Sequence, residues 1–319
     1  MLKPIVATAL LLCSTAAARA QPAAWPSRPI HIVVPLPAGS AADVLARLVA
    51  TKLSESLGQT VVVDNRDGGS GVIGTGQVAR AEPDGYTLGI ATTTTLVTAP
   101  ILDKKIGYSA ANDFTSVAMV GYSPYVLVTN PGVPAKTVAE FIALAKSKPG
   151  ALTYSSVGDA SLARLGAELF SSMAGIQLTQ VPYKSSTQAI IDLVSGRIDS
   201  QFGILATTHQ YIREGKLTAL GVTTPRRVPD FPDIPTIAES GLSGFESNLW
   251  IGVVAPAKTD ERIVQRLNAE IDKALAEPET TKLLYNQAIV VDAGPPEKLR
   301  QRVESDMAKW SALAAKAGL

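Results

Sequence analysis

A strand that runs through a loop of small residues straight into a helix occurs three times in this chain. That unit restricts the fold more than any other feature. Its first copy is Ile32–Arg47, IVVPLPAGSAADVLAR. A β-rich run from Ile30 to Pro35 ends in Pro37-Ala38-Gly39-Ser40. There Ser40 can cap a helix, and Asp43 completes a capping-box-like start. Val44, Leu45, Leu48 and Val49 give that helix one apolar side. The second copy is Thr153–Ser161, TYSSVGDAS, and the third is Val181–Thr187, VPYKSST. Strand Thr60–Asp64, a short helix through Val78-Ala79-Arg80 and strand Tyr86–Ala91 continue the first copy as βαβαβ. The expected class is therefore α/β, with mostly parallel sheets flanked by helices.

Each unit leaves backbone N–H groups at a helix N-terminus, where the dipole favours carboxylate or phosphate. Taken singly, each is equally an ordinary capped βα turn. Three of them divided between two lobes read as an anion cradle. Its candidate residues are Pro37, Ala38, Gly39 and Ser40 with Asp43 in the first unit. The second unit adds Ser156, Gly158, Ala160 and Ser161, and the third adds Tyr183 and Ser185.

The length of 319 residues suits two domains. Asp113 to Thr129 is a long β-rich run broken by Gly121 and Pro124, and the α/β pattern restarts at Thr137. Pro225–Pro235 and Gly241–Gly244 read as connectors, and Ile251–Ala255 as a strand returning to the first domain. Helices near Asp260–Leu275 and Pro296–Ala315 close the fold. This predicts a clam of two lobes, residues 21–124 with 250–319 and residues 125–249, with the ligand between them.

Lys3, the apolar run Ile5–Leu12 and Ala18-Arg19-Ala20 read as an export signal cleaved after Ala20. The expected location is a bacterial periplasm. Loss of Lys3 and Arg19 leaves 27 basic against 28 acidic residues, with no footprint for nucleic acid. Cleavage also removes Cys13, the one cysteine, and with it thiol catalysis and Cys-ligated metal.

Catalytic signals are weak. No G-x-S-x-G elbow occurs, and His31 and His209 lack patterned carboxylate partners for a triad or a metal site. Gly69-Ser70-Gly71-Val72-Ile73-Gly74 fits a dinucleotide fingerprint. The strand that follows it, however, ends in Thr92–Thr95 without the required acid. No catalytic residue, cofactor or metal is expected. Arg164 reads as a solvated helical residue or as a clamp for a ligand carboxylate. Asp199 is placed at a strand end by the cleft, and Thr92–Thr95 reads as β-branched strand filler or as a hydroxyl-lined wall, the second reading making Thr93 a candidate. Trp250 and Tyr183 are either ligand-stacking rings or core.

Phrases along nearly the whole chain resemble the Bug/TctC receptors, the extracytoplasmic solute-binding proteins of tripartite tricarboxylate transporters. They include Trp25-Pro26-Ser27-Arg28-Pro29-Ile30, Val34-Pro35-Leu36-Pro37-Ala38-Gly39 with Asp43, and Asp64-Asn65-Arg66. Ala81–Leu88, Glu168-Leu169-Phe170, Val181-Pro182-Tyr183-Lys184 and Pro235–Glu239 extend the match. The resemblance implies a Venus-flytrap, type II-like periplasmic-binding-protein fold with two crossover strands. It also implies a small carboxylate held by amides, hydroxyls and bridging waters, delivery to membrane permease subunits, and no catalysis. Ser40, Asp67, Ala160, Arg164 and Ser185 depart from the family pattern on the loops expected to touch ligand. The expectation is a monomer that binds a dicarboxylate, aliphatic or aromatic, with Arg164 on its distal carboxylate. A sensor subunit presenting carboxylate to a signalling partner is the alternative.

Overall fold

The structure, a computed structural model, describes residues 25–103, 105–157, 161–229, 231–286 and 289–317. The expected leader and its cleavage site, and the candidates Gly158 and Ala160, lie outside the described residues. Along the chain the elements are β1 (Ile30–Val34), α1 (Ala41–Leu57), β2 (Val61–Asn65), α2 (Val72–Ala79), β3 (Thr87–Thr92) and α3 (Ala99–Leu102). Next come β4 (Phe114–Ser123), β5 (Tyr125–Thr129), α4 (Val138–Ser147), β6 (Thr153–Val157), α5 (Leu162–Ala174), β7 (Thr179–Tyr183) and α6 (Ser186–Val194). The chain then forms β8 (Ser200–Ile204), α7 (Leu205–Arg213), β9 (Thr218–Val222), β10 (Leu249–Pro256), α8 (Glu261–Leu275), α9 (Pro278–Asn286), β11 (Val290–Gly294) and α10 (Pro296–Ala317).

Two sheets result, in the orders β11-β4-β10-β3-β1-β2 and β7-β6-β8-β5-β9. Helices flank both, as the two-lobed α/β reading expects. The ladders correct one expectation, because both sheets are mixed and neither is mostly parallel. β1 pairs parallel with β2 and β3, and β6 with β7 and β8. β10 runs antiparallel to β3 and β4, β11 to β4, and β5 to β8 and β9. The physical reason is the crossing itself. β4 and β10 carry the chain out of one sheet and back, so their direction is imposed by the passage and not by a βα unit.

The same registers orient the two lobes. Thr92, at the C-terminal end of β3, pairs with Ile251 near the start of β10, and Ser123 pairs with Leu249. On the other side Ile204, at the C-terminal end of β8, pairs with Tyr125 just past the crossing, and Leu205 N donates to Pro124 O at 2.9 Å. The carboxyl ends of β1 to β3 and of β6 to β8 therefore lie toward the crossovers and face one another. In open α/β sheets this edge is where ligands bind.

One apolar core runs through the crossing. It joins Phe141, Phe170, Phe202 and Phe245 to Trp250, Val254, Leu299 and Trp310. α10 reaches across it, and Lys316 Nζ donates to Ser172 Oγ of α5 at 3.0 Å. Rotation of one lobe on the other must pivot about this packed seam.

Candidate functional site

Each of the three loops ends in a serine that starts a helix. Ser40 Oγ accepts from Asp43 N at 3.3 Å, Ser161 Oγ from Arg164 N at 3.4 Å and Ser185 Oγ from Gln188 N at 3.3 Å. Serine is favoured here because its oxygen meets an amide that the helix leaves without an acceptor. A hydroxyl that accepts in this way keeps its own proton for donation. α1 follows β1, α5 follows β6 and α6 follows β7, so all three caps stand at the facing carboxyl edges.

The first loop is braced from inside. Asp43 is 3% exposed, and its Oδ2 accepts from Gly39 N at 2.8 Å and from Arg47 Nε at 3.1 Å. Its Oδ1 accepts from Asn65 Nδ2 at 2.9 Å, and the same amide reaches Leu36 O at 3.2 Å. Burial pushes the Asp43 carboxyl up, but the bonds from Arg47, Gly39 and Asn65 outweigh it and leave its pKa lowered. Asp43 thus braces the loop from inside. Gly39 N is engaged by Asp43, and Ser40 N by Pro37 O at 3.2 Å. The donors that helix geometry leaves without an intrahelical acceptor are the amides of Ala41 and Ala42.

Asn65 is a residue that sequence reasoning missed. It was legible only as part of the Asp64-Asn65-Arg66 phrase, since its partners lie in another strand and helix. The glycines of Gly69–Gly74 also find a use other than dinucleotide binding. A Cβ on Gly71 (φ 91°) would come to 2.7 Å from Thr95 Cγ2, and one on Gly74 to 2.6 Å from Arg66 O. They let the start of α2 press against the end of β1 and the loop after β3.

Thr93 does not line a wall. It is 0% exposed, its Oγ1 donates to Asn248 O at 3.1 Å and accepts from Trp250 N at 3.0 Å. Thr92 and Thr95 close on each other through their hydroxyls and backbone, equally buried. The threonines tie the loop after β3 to the returning strand β10. Trp250 is likewise core, fully buried with Nε1 donating to Asp306 Oδ2 at 2.8 Å.

Asp199 sits at the wrong end of its sheet for a cleft residue. It precedes β8, and its Oδ2 accepts from Thr153 N at 2.8 Å and Thr153 Oγ1 at 2.7 Å, at the start of β6. Ser156 is buried and its Oγ accepts from Gln180 Nε2 at 2.7 Å. Tyr183 ends β7 at the cleft edge, but its hydroxyl turns to Asp192 of α6 at 2.9 Å. Burial and that carboxylate push the Tyr183 hydroxyl up.

Arg164 is half-buried in the first turn of α5. Burial and Glu168 push the hydroxyl of Tyr154 up while the charge of Arg164 pulls it down. Arg164 is therefore within electrostatic reach of the Tyr154–Glu168 pair, whose hydrogen bond is 3.0 Å. Among the described residues no cluster of His, Cys, Asp and Glu could hold a metal ion.

Comparison with known proteins agrees with this geometry. The model of the tripartite tricarboxylate transporter family receptor, TctC, matches residues 45–319. Protein BugT of Bordetella pertussis is 35% identical over 295 residues, 92% of this chain and 90% of its own. The structure of R. palustris Rpa4515 with adipate is 36% identical, with a TM-score of 0.81 over 92% of this chain and 98% of that one. MatC (Rpa3494) from Rhodopseudomonas palustris with bound malate is 31% identical, with a TM-score of 0.76 over 91% and 99%.

Proposed function

Because the chain belongs to the tripartite tricarboxylate transporter receptor (TctC) family, whose members are binding receptors and not enzymes, we propose that it captures a dicarboxylate between its lobes. In this reading it hands the ligand, aliphatic or aromatic, to the permease subunits of a tripartite tricarboxylate-type transporter. The observation that carries it is the opposition of two sheet edges, each bearing helices that begin at serine caps. Among the described residues the hydroxyl protons of these serines and the Ala41 and Ala42 amides are donors with no built-in acceptor, which suits a carboxylate. That Rpa4515 holds adipate and MatC holds malate supports the same chemistry here.

In the same proposal the protein is a periplasmic monomer cleaved after Ala20, with lobes at 21–124 plus 250–319 and at 125–249. Gly158, Ala160 and Ser161 border the ligand from the second lobe, and Arg164 reads its distal carboxylate. Lobe closure brings the two edges onto the ligand.

A thermal-shift series on denatured and refolded mature protein tests this. Adipate or malate at 100 times its dissociation constant adds about 2.7 kcal/mol and raises the midpoint by several degrees. Silence toward mono-, di- and tricarboxylates alike would overturn the carboxylate reading. For Arg164→Gln the expected result is at least a tenfold loss for the responding dicarboxylate with its monoacid unchanged. Dicarboxylate affinity within twofold of wild type would remove the clamp and leave the cradle.

A further inference from the structure

Behind the crossover strands lies a cavity of about 1070 Å³ that no candidate cleft residue lines. Its walls include Leu96, Phe114, Val254, Val264, Val303 and Met307, drawn from the loop after β3, from β4 and β10, and from the inner faces of α8 and α10. The volume reaches the upper end of the range of small-molecule sites, which are mostly apolar with a few polar groups. Four carboxylates stand at its border, those of Asp103, Glu261, Glu297 and Glu304, against one guanidinium, Arg300. That cation is already engaged, with NH2 on Glu297 Oε1 at 2.6 Å and NH1 on Glu304. Among the described residues lining the cavity Arg300 is the one cation, and Asp103 and Glu261 have no Lys or Arg side chain within ion-pair distance.

We infer that this cavity is a second binding site, for an amphiphilic organic cation with an apolar body and an ammonium head. The body replaces water on the aliphatic walls, and the head stays at the acidic mouth, where it needs little desolvation. Tyr108 and Phe114, packed edge to face at 5.7 Å, add aromatic surface that favours an ammonium over a carboxylate. The site is thus of opposite preference to the cleft and does not depend on the carboxylate reading. It is also wired to the cleft side, since the Tyr108 hydroxyl donates to Thr95 O at 2.5 Å in the loop that holds β10.

Titration calorimetry of the mature protein with octyltrimethylammonium, octanol and octanoate tests the inference. The expected result is one saturable site with the ammonium bound at least tenfold tighter than octanoate. Gln265→Trp, on the exposed face of α8 at the mouth, and Val264→Phe, which fills the floor, should each weaken ammonium binding at least tenfold. Unfolding midpoints serve as the folding control. The double variant Asp103→Asn/Glu261→Gln should lower the ammonium-to-octanol preference threefold or more. Absence of saturable binding, equal affinity for octanoate and the ammonium, or full binding to both blocked variants would each overturn the proposal.

Discussion

The loop after β1 and the loops after β6 and β7 have the same design at their helix starts and different support beneath. All three begin helices at a serine. Among the described residues only the first is held from inside by a buried carboxylate, which ties Gly39, Asn65 and Arg47 into one bracket. Ser161 and Ser185 cap their helices with no such brace among the described residues, and Ser185 is exposed. In the proposed function, the first loop is therefore held in place before ligand arrives.

Removing the brace should break this contrast most strongly. Asp43→Ala leaves the Gly39 amide, the Asn65 amide and the Arg47 guanidinium without their acceptor. A loss of about 2–4 kcal/mol in chemical denaturation is expected. Carboxylate affinity should fall with it, because the loop that Asp43 braces is proposed to hold the ligand. Stability losses below about 1 kcal/mol would mean that the two halves are equally supported.

Thr93→Val comes next, because it removes both hydrogen bonds between the loop after β3 and the β10 segment while keeping the side chain's shape. About 1–2 kcal/mol is expected. The readout is denaturation together with the small-angle scattering difference between free and adipate-saturated protein.

Acid titration sharpens the contrast through the same brace. The Asp43 pKa is lowered from the ordinary 3.8, so its stabilisation is complete above the unfolded value and lost as pH falls through the folded one. Wild type should therefore lose its advantage over Asp43→Asn as the pH drops below about 4, and the two unfolding midpoints should converge. An unchanged gap down to pH 2 would show that the carboxylate is not the group responsible.

The smallest effects belong to the caps. Ser161→Ala should cost about 1 kcal/mol and Ser185→Ala about 0.5, with the exposed helix less dependent on its cap. Comparable losses in stability but unequal losses in carboxylate binding would identify which cap also serves the ligand.

The architecture was legible where local chemistry repeats. The βα units, their serine caps and the amphipathic α8 and α10 follow from period and capping pattern alone. The antiparallel members of each sheet were not, because β4 and β10 take their direction from partners far along the chain. The site divided the same way. Ser40, Ser161 and Ser185 stand where their sequence pattern places them. Asp43, Thr93 and Asp199 read as cleft residues because a polar side chain beside a loop carries no sign of its destination. Asp43 turned to Asn65, Thr93 to Asn248, and Asp199 to Thr153, each across a gap in sequence that no spacing rule spans.

The place of β10 in its sheet has a consequence for the order in which the molecule is made. It lies between β3 and β4, which have no ladder to each other, so the residues before it can form only two unjoined fragments of that sheet. The five-stranded sheet, by contrast, is continuous from Tyr125 to Val222 and can be completed first. The lobe that appears first along the chain is therefore the last to close. Its central strand arrives only after the whole inserted lobe has been synthesised, and until then the nascent N-terminal third keeps open edges and no finished core.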